Sequence, residues 1–361
     1  MKILFISRAT LYSNAGGDTI QIGSTAEYLQ KLGITPDIRL TNEKINYSDY
    51  DLIHFFNIIR PADILYHIKK SGKPYVVSTI FVDYTEYEKK ASRGFRKLAF
   101  RFISTDAIEY LKVLARSLVN NERIVTPFYF LQGHKRSVQK VISGSSLLLP
   151  NSENEYVRLV KRYKVEKAYN VIPNGINTTL FSPGLPISSK ENDLVICVAR
   201  IEPLKNQLNL IKALNKTSFR LLIIGLPSKN HNQYYAACEA EAGDTVTFIG
   251  HLSQEKLIAY YERAKVHVLP SWFETTGLSS LEAAAMGCNI VITDKGDTRE
   301  YFENYAYYCD PASPESIYEA IKKAAAEKYT EALRDKILAK YTWQEAASKT
   351  LSSYHQILGN Q

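Results

Sequence analysis

The sequence predicts two doubly wound α/β domains in tandem, and three observations carry that reading. Short apolar runs alternate with helical patterns along the chain, the signature of βαβ units and parallel sheets rather than hairpins. The 361 residues, at roughly 100 to 200 per domain, favour two cores. The rhythm stops and restarts at Ser182-Pro183-Gly184-Leu185-Pro186, where two prolines and a glycine deny both helix and central strand. The domain boundary is therefore expected at residues 183 and 184.

In the first half, Lys2–Ser7, Pro36–Thr41, Asp51–Phe56, Tyr75–Ile80, Ser146–Pro150 and Tyr169–Ile172 read as strands. Between the first two, Ile22, Ala26 and Leu29 follow helical spacing, and Gly33 suits the left-handed residue beyond a helix end, which completes one βαβ unit. In the second half the strand candidates are Leu194–Ala199, Arg220–Ile224, Val246–Ile249, Val266–Pro270, Asn289–Thr293 and Tyr305–Tyr308. Helical stretches fill the gaps, notably Gln254–Arg263 and Leu278–Met286. Open α/β sheets bind ligands beyond the carboxyl ends of their strands, so function is to be sought in strand-to-helix loops, with a substrate expected between the domains.

Composition narrows the class. Hydrophobic residues are 45% and charged residues 23%, close to average globular usage, which disfavours disorder, collagen-like sequence and coiled coil. Cys197, Cys238, Cys288 and Cys309 are widely spaced and support neither a disulfide framework nor a zinc ribbon, so a reducing compartment is expected. The first residues carry a short apolar strand without a signal-peptide pattern, and no apolar run approaches the roughly 18 residues of a membrane span. The expectation is a soluble, cytoplasmic protein. Its net charge of +8 is uneven: residues 1–184 hold 26 basic against 16 acidic side chains, the remainder 19 against 21. A basic half attracts anionic lipid, nucleic acid or a phosphorylated substrate, although a solvated charged face explains it equally well.

The most informative segment runs from Val266 to Gly287. A strand leads into a loop holding Glu274; a helix then opens near Thr276 or Gly277 and stops at Gly287. A helix N-terminus exposes unpaired amides and partial positive charge, so it is an anion site. Glu282 lies in the first turns of that helix. Carboxylates repel a phosphate and make better sense as acceptors for sugar hydroxyls beside it. A capping Glu and a solvated Glu would leave the same trace. Arg200 and Lys205 follow strand Leu194–Ala199 in the equivalent place of the same domain, and two cations there neutralise a diphosphate without metal, Arg by its planar fork and Lys as a point charge.

With these residues in order, the chain resembles the retaining glycosyltransferases of family 4. The resemblance covers nearly the whole sequence: the loop Asn14-Ala15-Gly16-Gly17, the segment Val171-Ile-Pro-Asn-Gly-Ile-Asn177 that includes Asn174, the Arg200 and Lys205 pair, and Glu274-x7-Glu282. Tyr341-Thr342-Trp343 and the helix after it look like the family's C-terminal helix. The resemblance implies the GT-B fold, with an acceptor-binding domain at 1–183, a nucleotide-sugar-binding domain at 184–341, and a helix at 342–361 that returns to the first domain. It implies that Arg200 and Lys205 bind the leaving diphosphate, Glu274 the donor hexose and Glu282 the ribose. Backbone amides of Gly277 and Leu278 would hold phosphate or sugar oxygens, with Gly16 and Gly17 near the donor phosphates and the acceptor. The activity implied is retaining transfer from a UDP- or GDP-linked sugar, metal-independent and without cofactor. By family habit the acceptor is a cell-envelope glycan or a lipid-linked saccharide, reached in the cytoplasm or at the inner membrane face through the basic first domain.

Two departures stand out. Many members carry a His after the fourth strand of the first domain; this chain has Val77-Ser-Thr-Ile-Phe-Val-Asp83, so Asp83 or a neighbouring backbone carbonyl is the candidate substitute. After Ile223-Ile224-Gly225 the family often continues with an acidic turn, whereas here Leu226-Pro227-Ser228 follows. Among the other motifs, Asp49-Tyr50-Asp51 has Asp-x-Asp spacing but no third ligand nearby, and no metal site is expected. His54 reads as a packed histidine rather than a catalyst, while Trp272 and Phe273 suit packing and ligand stacking alike. Arg93–Phe102 interleaves bases with aromatics, as a membrane-surface helix or a sheet-covering helix would; nucleic-acid binding lacks a reader motif. A nucleotide-sugar epimerase of the same architecture and a non-catalytic binding subunit are the rival functions.

Overall fold

The computed structural model describes residues 1–13, 15–82, 110, 128–182 and 190–359. They form two compact units, Met1–Asn174 with Trp343–Gln361, and Gly175–Thr342. The division falls at Asn174 and Gly175, ahead of the proline-rich stretch where the sequence placed it, and residues 183–186 of that stretch lie outside the described residues.

In the first unit, β1 (Ile3–Ser7), β2 (Asp37–Leu40), β3 (Leu52–Phe56), β4 (Tyr75–Ser78) and β5 (Leu147–Leu149) form a parallel sheet in the order β2-β1-β3-β4-β5. Every residue of β1, β3, β4 and β5 is buried, as a parallel sheet covered on both faces requires. The helix Gly17–Lys31 runs from β1 towards β2 and stops where Gly33 takes φ 86°, with the Ile34 amide donating to Leu29 O at 3.0 Å. Helix Glu153–Tyr163 begins at Ser152, whose hydroxyl accepts from the Glu155 amide at 3.0 Å.

The closing helix Trp343–Leu358 belongs to this unit and packs on helix Gly17–Lys31, as the resemblance implied. Tyr354 is fully buried, its hydroxyl 2.6 Å from His54 Nδ1, while His54 Nε2 lies 2.9 Å from Ser78 Oγ. Burial pushes His54 down to about 3, so it is a neutral core histidine tying β3 to the closing helix. Asn170 donates to Ser353 Oγ at 2.9 Å and to Gln356 Oε1 at 3.1 Å.

The expected strand Tyr169–Ile172 is not one. It runs beside β5 with a single bridge, Leu148 to Tyr169, because β5 is only three residues long and Pro150 and Pro173 supply no N–H to extend a ladder. Asp49 and Asp51 sit in surface turns, where Asp49 accepts from Asn46 Nδ2 at 3.1 Å and Asp51 from the Lys2 amide at 2.7 Å. Arg93–Phe102 lies outside the described residues.

The second unit holds β6 (Glu191–Val198), β7 (Arg220–Ile224), β8 (Val246–Ile249), β9 (Ala264–Leu269), β10 (Asn289–Thr293) and β11 (Tyr307–Cys309), all parallel in the order β11-β10-β9-β6-β7-β8. Alternate residues of β6 face opposite cores. Leu194 and Ile196 pack with Tyr261, Leu281 and Ala284; Val195 and Cys197 pack with Leu210, Ile211, Ile317 and Ile321. The last strand starts two residues later than read, since Glu303–Tyr305 forms a 3₁₀ turn before it. Among the described residues no helix is long and apolar enough to cross a membrane.

Candidate functional site

The strand order of the second unit marks one place for a ligand. From β6 the chain moves outward through β7 and β8, then returns to lay β9 on the other side of β6, so the connections reverse between β6 and β9. Ligands of open α/β sheets bind beyond the carboxyl ends of the strands at such a reversal. The two loops that flank it are 199–206 after β6 and 270–277 after β9, and they carry Arg200, Lys205, Glu274 and Gly277.

Lys205 Nζ and Glu274 Oε1 are 2.5 Å apart, with side chains 19% and 8% exposed. Arg200, 43% exposed, approaches Glu202 Oε1 at 3.2 Å, and the other oxygen of buried Glu202 accepts from Ser228 Oγ at 2.6 Å. Each cation thus has a carboxylate beside it. The backbone is pinned to hold them. Asn206, in the left-handed region at φ 62°, donates to Pro270 O at 3.1 Å and Pro311 O at 2.7 Å, and the Trp272 amide donates to Leu204 O at 2.9 Å. Three loops are thus tied by the Asn206 side chain and one backbone hydrogen bond.

Two glycines let other loops come against these. A Cβ at Gly225 would stand 2.0 Å from Ala199 O, so only glycine lets the loop after β7 lie on the loop after β6, where the Ile201 amide donates to Leu226 O at 2.9 Å. A Cβ at Gly296 would stand 2.0 Å from Glu274 O, and there the Asp297 amide donates to that oxygen at 2.9 Å. The departure Leu226-Pro227-Ser228 has a local purpose: its backbone extends the pairing with residue 201, and its serine holds Glu202.

Helix Leu278–Ala285 opens at Gly277, which takes φ 74° and offers no side-chain cap. The Ser280 and Leu281 amides return to Gly277 O at 2.8 and 3.1 Å, so those of Leu278 and Ser279 precede the first intrahelical bond. Glu282 on this helix is buried; Oε1 accepts from Gln254 Nε2 at 2.8 Å and Oε2 from the Tyr261 hydroxyl at 3.0 Å. Burial pushes its carboxyl up to about 7, and the two hydrogen bonds oppose that rise. Beneath the pair, Cys197 on β6 is a neutral thiol pushed up to about 12 by burial, and His267 on β9 is pushed down to about 3.

The structure therefore brings Arg200, Lys205, Glu274, Gly277, Leu278 and Glu282 to the carboxyl end of one sheet. Gly16, Gly17 and Asn174 belong to the first unit, where Gly16 precedes helix Gly17–Lys31 in extended backbone that any residue adopts, and Asn174 is buried at the end of the stretch Met1–Asn174. Asp83 and Asn14 lie outside the described residues. Of the two aromatics, Phe273 is buried and Trp272 half-buried. Sequence reasoning missed Glu202, Asn206, Ser228, Gln254 and Tyr261. It also missed Arg8, which follows β1 and binds Asp18 through two contacts of 2.6 and 2.9 Å. Cations near a helix N-terminus, with carboxylates aside from it, suit a ligand that is anionic at one end and rich in hydroxyls at the other.

The family model for glycosyl transferases group 1 matches residues 185–341, which contain all six of the second-unit residues. The D-inositol 3-phosphate glycosyltransferase of Acidothermus cellulolyticus is 29% identical over 181 residues, 43% of this chain and 40% of that protein. The chain thus spans less than half the length of this curated relative. Among solved structures, sucrose-phosphate synthase from Thermosynechococcus elongatus matches all of both chains with a TM-score of 0.75 at 18% identity. HepE of Anabaena, in complex with UDP and glucose, matches 99% of this chain and all of its own with a TM-score of 0.70 at 14% identity. The fold of the whole chain is that of the GT-B glycosyltransferases.

Proposed function

We propose that the chain, whose residues 185–341 match the family model for glycosyl transferases group 1, transfers a sugar from a UDP- or GDP-linked donor to an acceptor, with retention of anomeric configuration and with neither metal nor cofactor. The observation that carries the reading is Lys205 paired with Glu274 at 2.5 Å across the β6/β9 reversal, beside the uncapped N-terminus of helix Leu278–Ala285. In this reading the diphosphate lies against Lys205, Arg200 and the Leu278 amide, the donor hexose against Glu274 and the ribose against Glu282. The bond from C1 to the diphosphate oxygen breaks while the acceptor oxygen joins C1 on the same face, and the acceptor proton passes to the departing phosphate. The protein's part is preorganised positive charge where negative charge grows.

We take the acceptor to be a glycan or lipid-linked saccharide of the cell envelope, met in the cytoplasm or at the inner membrane face. A small phosphorylated acceptor is the second reading, favoured by the names of the relatives and by the 26 basic against 16 acidic residues of 1–184. Turnover on a panel of UDP- and GDP-sugars with both acceptor classes tests the proposal. Lys205→Ala is expected to lower kcat by on the order of 10² to 10³ with the fold intact, and near-wild-type kcat removes Lys205 from the mechanism. Donor alone is expected to give slow hydrolysis or no change; conversion to an epimer would favour an epimerase.

A further inference from the structure

We infer that Tyr261 and Gln254 are positioning residues that aim the Glu282 carboxylate at the ribose hydroxyls of a bound nucleotide and so make the site select ribonucleotides. The inference rests on the glycosyltransferase reading above and adds two residues that the family spacing does not mark. Both lie on helix Gln254–Arg263, seven residues or two turns apart, and so share one face. From that face each donates to a different oxygen of Glu282, Gln254 Nε2 to Oε1 at 2.8 Å and the Tyr261 hydroxyl to Oε2 at 3.0 Å. A carboxylate held at both oxygens cannot rotate about its last torsion without breaking a bond. About four lone-pair sites serve such a group, so two donors leave acceptor capacity for two more hydroxyls.

The frame behind it is rigid. Tyr261 is fully buried, with Phe181 against its ring at 6.1 Å between centroids. Lys190 Nζ donates to Tyr261 O at 2.7 Å and Ala264 O at 3.1 Å, closing the carbonyl end of the helix. Glu282 itself sits on a helix of nearly continuous burial, Ser280 to Ala285. Two packed helices thus fix donor and acceptor, which is what a specificity contact needs and a surface carboxylate lacks.

The test is calorimetric titration of the full chain with UDP, GDP and their 2′,3′-dideoxy analogues, using whichever base binds wild type more tightly. Wild type is expected to prefer the ribonucleotide by at least about tenfold. In Tyr261→Phe and Gln254→Ala the preference is expected to fall to about threefold or less, through weaker ribonucleotide binding with the dideoxy affinity nearly unchanged. A merely structural role would weaken both ligands alike and leave the ratio intact, which overturns the inference. Half-buried Gln254 gives a folded variant should Tyr261→Phe fail to fold. Nucleotide binding by wild type without ribose preference overturns this inference alone; no binding of any nucleotide overturns the proposed function with it.

Discussion

At the scale of the residue, Glu282 shows what burying a carboxylate costs. Its carboxyl stands at about 7 instead of the ordinary 4.5 because burial strips water from the charged form. Below about pH 4.5 it is protonated whether the chain is folded or not, and the cost is nil. Between about pH 4.5 and 7 the unfolded chain releases the proton that the folded chain keeps, so stability falls as pH rises through that window. Above it the loss is constant, on the order of 3 kcal/mol. Glu282→Gln keeps an acceptor for Tyr261 and removes the charge. It is expected to be more stable than wild type at about pH 8, with the gain gone at about pH 4.5, while nucleotide affinity drops. Urea melts at the two pH values check this; equal stability at the higher one contradicts it.

At the scale of the element, the loops after β6, β9 and β10 hold one another. Gly296 takes φ 96° with its Cβ position 2.0 Å from Glu274 O, whereas Gly23, inside helix Gly17–Lys31, has nothing within 4 Å of its own. Alanine at 296 meets an unfavourable backbone region and a backbone oxygen together, and is expected to cost more than about 2 kcal/mol in the second unit. Since the atom displaced belongs to Glu274, donor binding is expected to weaken with it. Alanine at 23 is expected to be neutral or to stabilise by up to about 1 kcal/mol. Thermal melts of both variants, with and without UDP, separate the two cases; a Gly296→Ala chain that melts and binds like wild type would show that the loop yields freely.

These same loops show what was legible beforehand. Arg200, Lys205, Glu274 and Glu282 declared themselves because a charged residue just past an apolar run, or in the first turns after it, has a fixed place in a βα unit. Their pairing did not, because Lys205 and Glu274 are 69 residues apart and meet only once β6 and β9 are neighbours. Tyr261 and Gln254 were hidden in an ordinary amphipathic helix whose span, Gln254–Arg263, was read correctly. In the first unit the strands were legible through β5, and the edge segment Tyr169–Ile172 was not, since its apolar residues fit a strand but its neighbour is too short to ladder with it.

At the scale of the whole molecule, the chain enters and leaves the second unit at one spot. Ile176 bridges Thr342, its amide donates to Tyr341 O at 2.9 Å, and a Cβ at Gly175 would stand 2.2 Å from the Thr342 carbonyl carbon. The second unit is one unbroken segment closed at its own ends, whereas the first is completed by Trp343–Gln361. Removing residues 343–361 therefore takes a piece from the first unit and none from the second. It uncovers the side of helix Gly17–Lys31 on which the closing helix packs, it takes away the buried side chains Trp343, Ala347 and Tyr354, and it leaves His54 Nδ1 without Tyr354. Two large aromatics at about 1.5 to 3 kcal/mol each are a substantial part of the 5 to 15 kcal/mol that holds a typical domain. Calorimetry of the truncated chain is expected to lose or sharply lower one melting transition and keep the other. The surviving transition is expected still to rise when UDP or GDP is added, by an amount equivalent to about 2.7 kcal/mol at a hundredfold excess over Kd. Loss of both transitions together would mean that the second unit does not stand on its own segment.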